Sequence, residues 1–227
     1  MFLVITAGAN QIRDLAWLNK NIPEDAKTTV TDVTSGYTVL SLMGPESRNL
    51  MSRLTTEDLS NQAFPFGTGR EIEIGYAKAL ALRMTYVGEL GWEIYLPTEF
   101  AQDIFDKIIS AGGEHGLKLA GMHALNSLRL EKAYRHWGHD ITDEDTPLDA
   151  GLSFAVKFDK KGGFIGRDAL LKQKESKVLK RRLVQFALDD PQPLLYHNEP
   201  IWCGDIIVGC LLYTSPSPRD RTRSRMP

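Results

Sequence analysis

The chain opens on an apolar run, Phe2-Leu3-Val4-Ile5, with no polar lead-in, which predicts a strand whose partners lie upstream. Past Ala7-Gly8-Ala9-Asn10, the apolar positions Ile12, Leu15, Ala16 and Leu18 recur at helical spacing, with Asn10 placed as N-cap and Pro23 just beyond the end. Thr28 to Thr34 and Tyr37 to Leu42 are rich in Val, Thr and Tyr and predict strands; Gly44-Pro45 then opens a helix with Leu50, Met51 and Leu54 on its apolar side. From Arg70 the period falls to two: Ile72, Ile74 and Tyr76 alternate with polar neighbours, and Leu80, Leu82, Met84 and Tyr86 do so on the next segment. Gly88 to Gly91 make a turn and Trp92 to Leu96 continue as a strand. Thr98 is placed to cap a helix carrying Phe100, Ile104, Phe105, Ile108 and Ile109, which Gly112-Gly113 ends.

A further helix is predicted over Met122 to Ala133 and a strand over Ser153 to Phe158. Strands and helices alternate without parallel βαβ regularity, so the fold class is α+β and not a doubly wound sheet. Residues 172–180, polar and basic, read as a linker between a first domain, 1–171, and a small all-β second one, 181–212. In the latter, Arg181 to Leu188 is a predicted strand, and Ile201 to Val208 a hairpin turning at Gly204-Asp205. After Leu212 the composition switches to Ser, Pro and Arg, with Arg219, Arg221, Arg223 and Arg225 against Asp220 alone. Residues 213–227 hold too little apolar surface to offset their ordering entropy and read as an unstructured tail foreign to the gene.

With 227 residues, 42% hydrophobic and 25% charged, the rest is long and apolar enough to bury a core, which excludes disorder. A net charge of -2 gives no global attraction to nucleic acid or to an anionic membrane. Cys203 and Cys210 are too few for a secreted disulfide framework, so a reducing compartment is expected. No apolar run is long enough to span a membrane, and the first residues lack a basic leader.

The segment Tyr86-Val-Gly-Glu-Leu-Gly-Trp-Glu-Ile-Tyr95 carries the first candidate chemistry. On a strand Trp92, Ile94 and Leu96 share one face, and Glu93 and Tyr95 the other. A carboxylate flanked by phenols suits an aromatic heterocycle with a guanidine-like donor edge, as in a pterin. A surface strand with Glu93 and Tyr95 facing water fits the same pattern. His136, His139 and Asp140 lack the companions of a metal motif and read as ordinary loop residues, so no metal site is assigned. Arg129 and Glu131, two apart on a helix, face different partners. Dinucleotide, Walker A, G-x-S-x-G and CxxC patterns are absent, so a flavin or nicotinamide is not housed here through such motifs.

Together with Ala120-Gly121, Ser127-Leu-Arg-Leu-Glu-Lys132, His136-Trp-Gly-His-Asp140, Thr146-Pro-Leu-Asp-Ala-Gly-Leu152 and Gly163-Phe-Ile-Gly-Arg-Asp-Ala-Leu170, the Tyr86–Tyr95 segment resembles the aminomethyltransferase family over about Met1 to Val208. That family includes the glycine-cleavage T-protein and the folate-binding C-terminal half of dimethylglycine and sarcosine dehydrogenases. The resemblance implies an α+β folate-binding fold followed by a small β-barrel, incomplete here, with tetrahydrofolate in a central cavity. In the glycine-cleaving and demethylating members, folate N5 takes a methylene carbon from an aminomethyl or iminium species derived from a methylated amine. By match of position Glu93 would bind the pterin's amino edge, Tyr86 and Tyr95 would line the pocket, and Phe154 would pack near the ring. The family's catalytic aspartate would precede a strand matching Met1 to Thr6, so no catalytic residue is assigned within this chain; a folate-contacting arginine of the T-protein is matched here by Leu125. FAD would belong to an N-terminal half outside this chain.

Two further readings share the fold. One is a binding module without chemistry, like the pyruvate dehydrogenase phosphatase regulatory subunit. The other is a folate-dependent iron–sulfur assembly factor, disfavoured because such factors carry a cysteine where this chain has Gly162-Gly163-Phe164. The resemblance places the protein in the bacterial cytoplasm or the mitochondrial matrix.

Overall fold

The structure, a computed structural model, describes residues 1–176, 181–190, 192–193 and 195–212. The chain divides into two compact units, Met1–Leu119 and Ala120–Pro227. The tail 213–227 and positions 177–180 of the expected linker lie outside the described residues.

The first unit is built on a four-stranded antiparallel sheet. Its strands are β1 (Tyr37–Met43), β2 (Gly69–Ile74), β3 (Ala77–Leu82) and β4 (Gly91–Pro97), in the order β1-β4-β3-β2. α2 (Ser47–Met51) and α3 (Ala101–Gly112) supply Leu50, Met51, Ile104 and Ile108 to the same core as Trp92, Ile94 and Leu96 of β4. These three β4 side chains are fully buried, each contributing roughly 1.5–3 kcal/mol. α1 (Gln11–Lys20) precedes the sheet and buries no residue.

On β3 the buried face differs from the expected one. The strand ends at Leu82, leaving Met84 and Tyr86 beyond it, and its buried row is Ala77, Ala79 and Ala81. Ala77 and Ala79 pair with Ile74 and Ile72 of β2, and Ala81 with Ile94 of β4, so small and large side chains alternate across the packed face. Leu80 and Leu82 lie half-buried on the reverse face, in register with Tyr95 and Glu93.

Four expected strands are not formed. Met1 to Ile5, Thr28 to Val33 and Arg181 to Leu188 are irregular, Thr34 already belongs to a 3-10 turn, and Ser153 to Ala155 is another such turn. A strand is completed by a partner, which β-propensity does not supply. Two of these segments meet backbone needs by other bonds: Asp32 accepts from the Thr34 amide and the Gln11 side chain, and Leu183 N–H donates to the Asp149 carbonyl. Asn10 and Thr98 precede helical turns, but neither caps through its side chain; Thr98 donates to the Ser35 carbonyl at 3.0 Å.

The second unit holds α4 (Met122–Glu131), α5 (Arg167–Ser176) and a hairpin, β5 (Pro200–Cys203) with β6 (Ile206–Cys210). α5 runs through positions 172–176 of the expected linker and is tied down where Gln173 donates to the buried Asp149 carboxylate at 3.1 Å. The hairpin turns at Gly204, whose φ of 59° is left-handed as such a turn requires. This two-stranded sheet is not closed into a barrel. Among the described residues no helix is long and apolar enough to cross a membrane.

Gly91 sets how closely β1 approaches β4. A Cβ there would sit 2.6 Å from Met43 Cγ and 2.7 Å from the Leu42 carbonyl oxygen, and backbone cannot yield as a side chain does. Gly91→Ala is therefore expected to destabilise by about 1–3 kcal/mol in urea unfolding. An unchanged midpoint would show that the two strands can part without cost.

Candidate functional site

Strand periodicity and burial together build the site. The face of β4 that carries Trp92, Ile94 and Leu96 is core; the opposite face carries Gly91, Glu93 and Tyr95. Glu93 is half-buried and Tyr95 is 8% exposed. The Tyr95 hydroxyl donates to Glu93 Oε2 at 2.7 Å. Glu93 Oε1 has no hydrogen-bond partner among the described residues. Across the sheet Glu93 is in register with Ser41 and Leu82, and Tyr95 with Val39 and Leu80.

Burial pushes the Tyr95 phenol well above the ordinary tyrosine range, and the hydrogen bond to Glu93 and that group's charge push it further. The phenol therefore stays a donor at all physiological pH. Raised ionisation favours the protonated native state, so its contribution to stability is complete below the ordinary value of 10.0 and is lost as pH rises beyond it. In an ultraviolet titration Tyr95 should ionise after the exposed tyrosines, and Glu93→Gln should bring it down without abolishing the shift, since burial remains. Coincident ionisation of all tyrosines would contradict the geometry.

Tyr86 lies in the connection between β3 and β4, half-buried. Its neighbour Thr85 accepts from the Val87 amide and contacts Met43 Sδ at 3.7 Å, tying the connection to β1. The same connection begins at Arg83, which donates to the Phe64 carbonyl at 2.5 Å and to Asn61 at 2.7 Å. Phe154 belongs to the second unit, where it stands 85% exposed on the Ser153–Ala155 turn. The structure thus joins Glu93 to Tyr95 directly. An open cleft of about 420 Å³ lies elsewhere in the first unit, lined by Arg48, Ser52 and residues 57–62. Within it Arg48 donates to Asn61 and Asp58 accepts from the Ser60 amide, and it does not include Glu93.

The histidine-rich loop has a different use. Arg129, 0% exposed, donates to Asn126 Oδ1, to the Tyr134 carbonyl and to Asp140 Oδ2, which also accepts from the His136 amide. Asp140 is thereby the internal counter-ion of α4, while Glu131 on the same helix is exposed. The His136 and His139 rings sit 4.4 Å apart, and burial first, then the neighbouring His139 and Arg129 charges, pull the His136 imidazole below its ordinary value. Spacing alone did not reveal this clamp, because its partners are not at a helical or strand interval.

An α+β protein with an antiparallel sheet, helices over one face and a carboxylate–phenol pair on the other is the class these elements define. The chain belongs to the GCVT N-terminal domain family, which matches residues 1–160. It is 44% identical over 208 residues to 4-methylaminobutanoate oxidase (formaldehyde-forming) of Paenarthrobacter nicotinovorans, covering 92% of this chain and 25% of that protein. It is 39% identical over 211 residues to mitochondrial dimethylglycine dehydrogenase of Homo sapiens, covering 92% and 24%. Against the mitochondrial pyruvate dehydrogenase phosphatase regulatory subunit of Mus musculus the identity is 40% over 206 residues, covering 88% and 23%. The crystal structure of glycine cleavage system aminomethyltransferase T from Bartonella henselae matches with a TM-score of 0.69 at 28% identity, over 83% of this chain and 49% of that one. The chain thus spans about a quarter of the length of these curated relatives. It has an aminomethyltransferase fold, as its motifs implied.

Proposed function

We propose that this chain binds tetrahydrofolate and forms the folate-handling part of a longer, flavin-dependent enzyme that demethylates an N-methylated amino acid. The observation that carries the reading is the Glu93 carboxylate, half-buried on the sheet face away from the core, with Oε2 held by Tyr95 and Oε1 open to an incoming donor. A pterin edge presents adjacent N–H donors, and an acceptor-only carboxylate beside an aromatic ring has the chemistry to receive it. Glu93 would hold that edge, and Tyr86 and Tyr95 would line the ring's pocket. When bound, tetrahydrofolate supplies the nitrogen that takes up a one-carbon unit, delivered as an iminium derived from the methylated amine. The assigned residues bind and orient; none of them is given an acid–base role.

On this reading residues 1–171 are the folate-binding segment, and FAD is held by another part of the longer protein. Support for a methylated amine comes from relatives whose names specify 4-methylaminobutanoate and dimethylglycine. The test is a calorimetric titration of the 227-residue chain with folinate, a reduced folate stable in air, against Glu93→Ala. Binding by the wild type and its loss in the variant are expected; equal affinity of the two would remove the assignment. The likeness to the phosphatase regulatory subunit supports a second reading, a binding module without turnover. One-carbon transfer to folate by the full-length protein separates the two.

A further inference from the structure

We propose that Tyr95 is the positioning residue of this site: its hydroxyl pins Oε2 of Glu93 and leaves Oε1 as the acceptor presented to a ligand's donor edge. The identity of the ligand rests on the folate reading; the positioning rests on the geometry of β4.

Side chains two residues apart on a strand are neighbours on one face, and here the pair meets at 2.7 Å between the phenol oxygen and Oε2. The backbone beneath is fixed, because β4 is paired on both edges and its reverse face is anchored by Trp92, Ile94 and Leu96, all without exposure. Tyr95 is itself held in register between Val39 of β1 and Leu80 of β3 and is almost fully buried. A stiff, buried phenol is thus placed against a flexible side chain that would otherwise sample several rotamers. On its other flank Glu93 has Gly91, which carries no side chain that could hold it. Restraint comes from Tyr95 alone on this strand, and it spares the ligand the ordering of Glu93. A neutral phenol donating to one oxygen also leaves the carboxylate charged, so the remaining oxygen offers a charge-assisted acceptor.

Tyr95→Phe keeps the ring and removes only the donor. It is expected to weaken folinate about tenfold, from the lost restraint on one rotamer-rich side chain. It should leave the desamino analogue of folinate, which lacks the exocyclic amino group, unchanged. A residue serving only to pack the sheet would weaken both ligands alike, and that result overturns the inference. In the ligand-free protein, side-chain coupling constants should report one Glu93 rotamer in the wild type and averaged rotamers in Tyr95→Phe; identical couplings also overturn it. If the couplings change while neither protein binds folinate, the folate reading falls and the positioning role stands. Should Tyr95→Phe fail to fold, Glu93→Gln reads the same contact from the other side, and an unmoved Tyr95 ionisation counts against the inference.

Discussion

Glu93→Ala should weaken folinate binding by about a hundredfold, because a hydrogen bond to a charged acceptor is worth roughly 1.5–3 kcal/mol and Oε1 receives the pterin's amino edge. The half-burial of Glu93 sets the size of the effect: a fully exposed carboxylate would be largely screened by water, whereas this one lies on a sheet face beside a buried phenol. Glu93→Gln should fall between, since the amide keeps one acceptor oxygen but lacks charge and offers donors to a donor edge. Glu93→Gln keeps an acceptor for the buried Tyr95 hydroxyl and should change stability little, whereas Glu93→Ala leaves that hydroxyl without its partner and should cost about 1–3 kcal/mol. A variant that loses binding together with its fold would not bear on the site; urea unfolding on the same samples separates the cases.

Asp140→Ala should cost about 3–5 kcal/mol of unfolding free energy, the largest stability effect expected of a single side chain here. It strands the Arg129 guanidinium, fully buried, without its carboxylate and frees the 132–141 loop that Asp140 closes through the His136 amide. The exposed pair Arg53–Glu114, at 63% and 78% side-chain exposure, is the control: Glu114→Ala should change stability by less than about 1 kcal/mol. Replacing both Arg129 and Asp140 with apolar residues of similar size should recover much of the loss, because the desolvation of two charges disappears with them. If Asp140→Ala unfolds at the same urea concentration as Glu114→Ala, the clamp does not carry the loop.

Much of this was readable from residues whose placement is a local matter. The alternation of Trp92, Ile94 and Leu96 against Glu93 and Tyr95 is a property of the extended backbone, so the face bearing the carboxylate followed from the spacing. The Gly204 hairpin and the helices over 101–112 and 122–131 followed in the same way. What stayed hidden depended on distant partners. Phe2 to Ile5 and Arg181 to Leu188 have strand-like composition, but no neighbouring edge pairs with them among the described residues. The alanine row of β3 is nearly neutral in hydropathy and becomes core only because Ile72, Ile74 and Ile94 flank it. Arg129 and Asp140 are 11 positions apart, an interval that no periodic pattern marks. The hydrogen bond from Tyr95 to Glu93 lies between these cases: the shared face and the donor and acceptor chemistry were legible, but the 2.7 Å contact needed the side chains in place.

The most direct test of the central claim is a crystal structure of the 227-residue chain with folinate bound. The exocyclic amino nitrogen is expected within about 2.7–3.2 Å of Glu93 Oε1, with the Tyr95 hydroxyl still on Oε2. Folinate ordered elsewhere, or seated here with its amino edge turned away from Glu93, would contradict it.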